Sequence, residues 1–333
     1  MIKERQSNFE LLRIISMFMI LLLHANFSAF GWPEGDSTTA LLRILAESIA
    51  IIAPNLFVLI TGFFGVTLKL SKIVNLLFQI VFTVFSVTLL LILFNIYQFN
   101  SWKELAHGFY FWNYWFLNAY IVLLLLSPLS NLAIEYLNQS SLKYLLILLF
   151  IVFCIIDGDF FISPMGIGVN SGYSVIWFLY LYLLGRYIAK YPIRISFLKL
   201  LFLYLFSLLG AFILIWKRHD YGYNSPFILI ESVVVFLMFQ FVDFSSKTVN
   251  FIASSSLMVF LLHGHPVLFR YYKGTLELLN EKYGNGLEFV LFVLLFCVGV
   301  YTIAVIYDQV RELIWKQIEP RVRKWDCLLT VNE

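Results

Sequence analysis

Long apolar runs constrain this chain more than any other feature of its sequence. A helix that crosses a bilayer needs about 20 mostly apolar residues, and such runs recur along nearly all of the 333 residues. They lie near 9–29, 44–66, 73–98, 110–133, 143–157, 173–190, 197–216, 226–243, 250–271 and 286–307. The sequence therefore predicts an all-α fold: a polytopic integral membrane helical bundle of about ten transmembrane helices. The fifth run is short and the fourth opens at the polar pair Asn113-Tyr114, so either could be re-entrant.

Composition excludes a water-soluble enzyme. The chain is 61% hydrophobic and only 13% charged, whereas soluble domains are about half apolar and a quarter charged. Its formal charge of +3 is too small to indicate nucleic-acid binding, and its three cysteines show no metal-ligand spacing. With no linker or repeat in view, we expect residues 1–333 to form one transmembrane domain, with no appended soluble esterase domain.

Lysine and arginine predict the orientation, because they concentrate in cytosolic loops. With the N-terminus inside, fifteen of the 23 fall on the inner side and seven on the outer side, and the last is Arg13 within the first run. We expect a multi-pass protein of the bacterial inner (plasma) membrane with both termini in the cytosol. Its short N-terminus would be residues 1–8 and its basic C-terminal tail residues 308–333.

The first run carries two ionisable residues, Arg13 and His24. At 3.6 residues per turn their separation is almost three whole turns, so both side chains face one way, about 16 Å apart along the axis. Ionisable groups at membrane depth are costly and usually mark a functional cavity. The alternative is that Arg13 snorkels to the head groups and His24 makes an interhelical hydrogen bond.

Two further histidines, His263 and His265, lie in the predicted outer half of the ninth run. They and His24 could converge on one cavity. A metal site is the competing interpretation, but on a helix His-Gly-His would point the two rings about 200° apart. No carboxylate or cysteine lies near them in the sequence.

Other polar and aromatic residues within the runs are open to two interpretations. Glu231 needs a partner in its apolar run, either a structural ion pair or a catalytic role. Asn55 is of a type that often joins helices by hydrogen bonds. The aromatic residues Tyr110, Trp112, Tyr114 and Trp115 indicate an interfacial belt or a sugar-stacking platform.

Several stretches, in order, resemble the membrane-bound acyltransferase 3 family. Residues 8–13 and 23–25 are similar to its opening Arg-x10-His helix, and 55–63 to its segment that ends in Ser-Gly-Phe. Residues 115–128, 178–186 and 254–263 are similar to its Trp-aromatic-Leu span, its sixth span and its late Ser…Leu-x-His pattern. Many members have Asp where Asn55 stands, and a more basic stretch where this chain has only Lys69 and Lys72.

The resemblance implies O-acetylation of a cell-envelope polysaccharide. An acyl group, usually acetyl from cytosolic acetyl-CoA, would pass to a hydroxyl of a cell-surface or lipid-linked carbohydrate. Acetyl-CoA would be a substrate, with no bound cofactor and no metal. His24 would be the general base, and Arg13 would hold a donor phosphate. The predicted substrate-binding residues are His263, Trp115, Asn55, Glu231, Arg186 and Lys72.

Non-enzymatic functions remain alternatives. A glycan flippase, a polymerase or a small-solute transporter also has many spans and buried charges. Transporters often show repeats with broken helices, which this sequence lacks. A sensor or scaffold would not need Arg13 and His24.

Overall fold

The chain is all-helical in the parts that the structure describes. A computed structural model describes residues 6–96, 114–157, 168–284 and 286–328, and no strand occurs within them. The helices are α1 (Ser7–Ala25), α2 (Phe27–Phe30), α3 (Thr38–Ala50), α4 (Ala53–Phe64), α5 (Leu70–Leu93), α6 (Trp115–Tyr136), α7 (Gln139–Phe150), α8 (Val175–Lys190), α9 (Phe197–Arg218), α10 (Pro226–Met238), α11 (Lys247–Ser254), α12 (Ser256–His263), α13 (Pro266–Tyr283) and α14 (Leu287–Arg323). The predicted all-α membrane fold is confirmed.

The helices account for most of the predicted membrane spans. Within the described ranges, seven helical stretches are long and apolar enough to cross a membrane, or up to eight if the bent pair that ends in α13 counts as one span. Each predicted run overlaps a helix, but α8 has only 16 residues and α10 only 13. The count of about ten therefore stays a prediction. Residues 110–113, with Tyr110 and Trp112, lie outside the described residues.

The chain groups into two compact units. Unit 1 comprises Met1–Val66 and Ala119–Ala253, and unit 2 comprises Thr67–Asn118 and Ser254–Glu333. Each unit is thus assembled from separated stretches of sequence.

In unit 1, α4 and α8 pack with their backbones in contact. A Cβ atom added to Gly62 would lie 2.4 Å from the carbonyl oxygen of Tyr182, and one added to Gly185 would lie 2.5 Å from that of Leu59. Small residues allow this close approach, which supplies the van der Waals contact that holds helices together in lipid. The two glycines therefore fix where α4 and α8 cross.

In unit 2, α14 carries a buried ionic cluster against α5. Arg311 donates from Nε to Asp308 at 2.6 Å and from Nη1 to the side-chain oxygen of Asn75 at 3.1 Å, and it also pairs with Glu312. Arg311 and Asp308 are each 1% exposed. The sequence prediction ended the last span at residue 307 and placed Arg311 in a tail. The helix does not end there: α14 runs for 37 residues, from Leu287 to Arg323, and Asp308 and Arg311 are paired with one another. The end of the membrane span at residue 307 stays a prediction.

The N-terminus of α5 is capped from the far end of the chain. Asp326 accepts hydrogen bonds from the backbone N–H of Ser71 at 2.7 Å and from its hydroxyl at 2.8 Å. The backbone bond, supported by the hydroxyl, lowers the pKa of Asp326. A carboxylate here satisfies an orphan N–H and complements the positive end of the helix.

A break divides the ninth predicted run. Helix α12 ends at His263, α13 begins at Pro266, and the chain bends by 87° between them. Proline fits the first turn of a helix because it lacks the N–H that would go unpaired there. His263 and His265 therefore do not lie on one continuous helix.

Candidate active site

Arg13 and His24 lie on one uninterrupted helix, α1. Arg13 donates from Nη1 to both carboxylate oxygens of Glu10, at 3.0 and 3.2 Å. The Arg13 side chain is 30% exposed and that of Glu10 only 7%. One side of the guanidinium is thus paired while the group remains accessible.

His24 lies at the point where α1 ends. It is half-buried and is the second-last residue of the helix, since Asn26 has φ −103° and ψ −99° and breaks it. Helix α2 begins at Phe27. The position of His24 therefore depends on what holds this break.

A polar cluster of Asn26, Arg43 and Glu47 holds the break. The Asn26 amide donates to Glu47 at 2.8 Å and to the Arg43 carbonyl at 2.8 Å, and its oxygen accepts from Arg43 Nε at 3.0 Å. Glu47 is buried in α3. Sequence reasoning missed it, although Glu47 lies inside the apolar run 44–66 and the rule applied to Glu231 would have identified it.

Asn55 is the centre of a buried hydrogen-bond network in unit 1. Its oxygen accepts from Trp177 Nε1 at 2.9 Å, and its nitrogen donates to the Tyr223 carbonyl at 2.9 Å and to Ser232 Oγ at 3.3 Å. An amide supplies both donors and an acceptor, whereas an ionised Asp only accepts. The network explains an Asn here on structural grounds; its contact with substrate stays a prediction.

Glu231 is fully buried in α10, at 0% exposed. Neither of its oxygens has a hydrogen-bond partner among the residues that the structure describes, and no ion pair reaches it there. The structural ion pair considered for Glu231 is therefore not found in this part of the chain. A protonated carboxyl is the state that such a site favours.

Arg186 lies over the turn that follows α4. A Cβ on Gly65, which has φ +70°, would be 2.7 Å from Arg186 Nη1. The Tyr182 hydroxyl accepts from the Val66 N–H at 3.0 Å and donates to Asn131 at 2.8 Å. Sequence reasoning missed Tyr182 and Asn131, because a single Tyr or Asn in an apolar run carries no distinguishing signal.

Two more of the predicted substrate-binding residues, Lys72 and Trp115, lie in unit 2. Lys72 is exposed near the start of α5 and donates to the Thr67 carbonyl at 3.2 Å. Trp115 is half-buried at the start of α6, edge-on to Phe116. Arg186 and Lys72 thus belong to different units, and their common role stays a prediction.

The two later histidines are both buried. His263 shares a 2.7 Å hydrogen bond between Nδ1 and the Val259 carbonyl. A carbonyl can only accept, so Nδ1 carries the proton. His265 is 3% exposed, and neither of its ring nitrogens has a partner among residues 6–96, 114–157, 168–284 and 286–328. No group of three or more His, Cys, Asp or Glu gathers in those ranges.

A comparison with protein families identifies the chain. A family model described as an acyltransferase domain matches residues 6–308, which include α1 and parts of both units. No curated protein and no solved structure matches the chain. Because the family model covers most of the 333 residues, this membrane protein belongs to the acyltransferase 3 family.

Proposed function

We propose that the protein transfers an acetyl group from cytosolic acetyl-CoA to a hydroxyl of a cell-surface or lipid-linked carbohydrate. The observation that carries this proposal is the family match over residues 6–308, which includes the helix with Arg13 and His24. Membership of an acyltransferase family favours acyl transfer over transport. The apolar spans place that chemistry in a membrane.

His24 is the proposed general base. As the acceptor oxygen attacks the thioester carbonyl, its proton passes to the imidazole and an O–C bond forms. The C–S bond then breaks, and the thiolate leaves with a proton returned by the imidazole. A histidine suits both transfers, because its ordinary pKa lies near neutrality.

Arg13 is the proposed anchor for a donor phosphate. Its planar fork suits phosphate oxygens, and the pairing with Glu10 orients it before the donor arrives. In the orientation that the Lys and Arg counts predict, the cytosolic face carries Arg186, Lys72 and both termini. Acetyl-CoA would approach the protein from that face. A reporter fused to the C-terminus that reads as external would overturn this orientation.

The test is acyl transfer by purified protein in lipid, with radiolabelled acetyl-CoA and lipid-linked glycans. Since a positioned base contributes about 10²–10⁴-fold, His24→Ala should lower turnover by that factor. Arg13→Lys should raise the KM for acetyl-CoA, because it keeps the charge and loses the fork. Near-normal transfer by correctly inserted His24→Ala would refute the mechanism.

A matched control is His219→Ala. His219 is an exposed histidine at the end of α9, stacked on Trp32 with ring centroids 4.3 Å apart. It lies outside the proposed machinery, so its removal should leave turnover unchanged. A loss equal to that of His24→Ala would show that the assay reports on something other than the α1 histidine.

A further inference from the structure

Unit 2 contains a cavity whose lining includes neither the proposed base His24 nor the proposed donor anchor Arg13. It has a volume of about 420 Å³ and lies between α5, α12, α13 and α14, with His263 in its wall. This volume falls within the usual range for binding sites of small molecules, about 300–1,000 Å³. The cavity is therefore large enough for a ligand.

The wall of the cavity is apolar. Eight of its thirteen lining residues are aliphatic or phenylalanine. The polar groups are largely used within the protein: Thr275 donates to the Tyr271 carbonyl at 2.8 Å, the Tyr272 hydroxyl meets Cys297 Sγ at 3.5 Å, and the Tyr307 hydroxyl meets Ser86. Water and polar solutes gain little in such a space, so its chemistry favours a hydrocarbon.

The rim of the cavity faces outward, whereas its floor is buried. Leu90 and Ile303 on the rim are 43% and 66% exposed, and Leu262 and Tyr272 on the floor are 8% and 4% exposed. Leu90 and Ile303 lie on α5 and α14, which are long and apolar enough to cross a membrane. Exposed apolar residues on such helices face lipid. The cavity therefore opens towards the hydrocarbon of the bilayer.

Helix α13 forms one side of the cavity. Its lining residues Leu268, Tyr271, Tyr272 and Thr275 share one face at helical spacing. Arg270 and Glu277 lie on the opposite face, and α13 is bent by 87° from the preceding helix. An amphipathic helix with this pattern lies in the membrane interface with its charges in the head groups. The space beneath a helix in that position adjoins the acyl chains of the bilayer.

We propose that this cavity binds one acyl chain of a bilayer phospholipid. The chain enters past Leu90 and Ile303 and ends against Leu262 and Tyr272, on either side of the break between α12 and α13. A bound chain fills space that protein atoms leave open, so it stabilises that break. The site does not depend on the reaction catalysed.

Photolabelling tests the site directly. The full chain is reconstituted in nanodiscs of phosphatidylcholine with a diazirine near the end of one acyl chain, illuminated, and mapped by peptide mass spectrometry. We expect label on the buried floor residues Leu262 and Tyr272 as well as on Leu205, an exposed residue of α9 that is 55% exposed. Label on Leu205 with none on the floor would overturn the proposal.

Filling the cavity supplies the second arm. Thr275→Trp should abolish labelling of the floor and leave Leu205 labelled. Leu278→Trp is the matched control, because Leu278 lies on α13, is 65% exposed and is not in the lining. If Thr275→Trp does not fold, Val300→Phe fills the cavity from α14. Floor labelling that persists in the folded variant would refute the site.

A third arm separates two sources of the chain. A single-chain alkyl glycoside with the same diazirine is added at the same mole fraction as the labelled phospholipid. Equal or weaker labelling of the floor by the glycoside supports the phospholipid. Stronger labelling by the glycoside would show that a sugar-bearing lipid holds the cavity, and would overturn the assignment.

Discussion

The two units hold their helices together by different means. In unit 1, α4 and α8 touch backbone to backbone at Gly62 and Gly185, and neutral hydrogen bonds converge on Asn55. In unit 2, the Asp308–Arg311 ion pair is buried between α14 and α5, and a cavity of about 420 Å³ opens near His263. At these helix contacts, unit 1 relies on close fit and unit 2 relies on buried charge.

The difference follows from the absence of a hydrophobic driving force between helices in lipid. Association there depends on van der Waals contact and on polar interactions between helices. A close fit is lost when a methyl group is added, whereas a buried ion pair is lost when one partner is removed. The units should therefore respond oppositely to added volume and to removed charge.

The largest effect is expected from Gly62→Ala. The new Cβ would meet backbone atoms of Tyr182 at 2.4 and 2.9 Å, which a side-chain rotation cannot relieve. Overpacking costs typically 1–3 kcal/mol and sometimes more, and because the obstructing atoms here are backbone atoms we expect complete loss of folded protein. The measurement is the yield and thermal unfolding of the detergent-purified protein.

Gly299→Ala is the control for added volume in unit 2. Nothing lies within 4 Å of a Cβ at Gly299, which is on α14. An alanine there should be neutral or stabilise the helix by up to about 1 kcal/mol. Equal losses from both substitutions would break the comparison between the units.

Removing one partner of the buried ion pair should have the next largest effect. Asp308→Ala leaves Arg311 buried without its 2.6 Å partner, a change that typically costs 3–5 kcal/mol. Thermal unfolding of the variant measures the loss. In contrast, Glu319→Ala removes an exposed pair with Arg323 and should cost less than about 1 kcal/mol. Similar values for the two pairs would contradict the importance of buried charge in unit 2.

Asn55→Leu tests the neutral network of unit 1. It removes the acceptor of the Trp177 indole N–H and the donor to the Tyr223 carbonyl, and losing a partner at a buried polar group costs about 1–3 kcal/mol. Ser232→Ala loses the longer 3.3 Å bond from Asn55 and the 2.6 Å bond from its own hydroxyl to the Ile228 carbonyl, and it should cost about 1 kcal/mol. Unfolding and acyl transfer are measured together. Normal stability with lost transfer would instead support substrate contact at Asn55.

The smallest effect concerns the Asp326 cap. Its pKa is lower in the folded protein than the unfolded value of about 3.9. Its contribution is therefore present above that value and is lost as the pH falls through the folded pKa. Asp326→Asn should lower the melting temperature by about 2 °C or less at pH 7, and the difference should shrink on acidification. A constant difference between pH 7 and pH 3 would show that charge is not involved.

The sequence predicted what depends on local composition. Apolar runs predicted the all-α membrane fold, and the spacing of Arg13 and His24 placed them on one helix, which α1 confirms. Prediction from the sequence failed where contacts join distant stretches of the chain. Asn131 reaches Val66 and Tyr182 across 65 and 51 residues, and no periodicity encodes such pairs. Asn55 was singled out as polar, but its partners come from α8, α10 and the loop before α10.

The end of α14 illustrates a different limit. Charged residues from Asp308 onward predicted a tail, because isolated charges end an apolar span. The helix nevertheless continues through these residues, because Asp308, Arg311 and Asn75 pair with one another. That pairing requires a neighbouring helix, which a local pattern does not reveal. Glu47 is a different case: it lies inside the apolar run 44–66 and could have been identified as Glu231 was, whereas its partners Asn26 and Arg43 became evident only in the fold.

The length of α14 can also be compared with the thickness of a bilayer. Its 37 residues extend about 55 Å, whereas the hydrocarbon layer is about 30 Å thick. The apolar half before Asp308 is already long enough to cross that layer, so the charged half is length beyond what a crossing needs. Trp315 in the charged half stacks on Phe78 of α5, with ring centroids 5.6 Å apart, so this extra length is packed against a second helix. Two helices held side by side in this way form a rigid feature that an antibody fragment could recognise, which would help to align images of a small membrane protein.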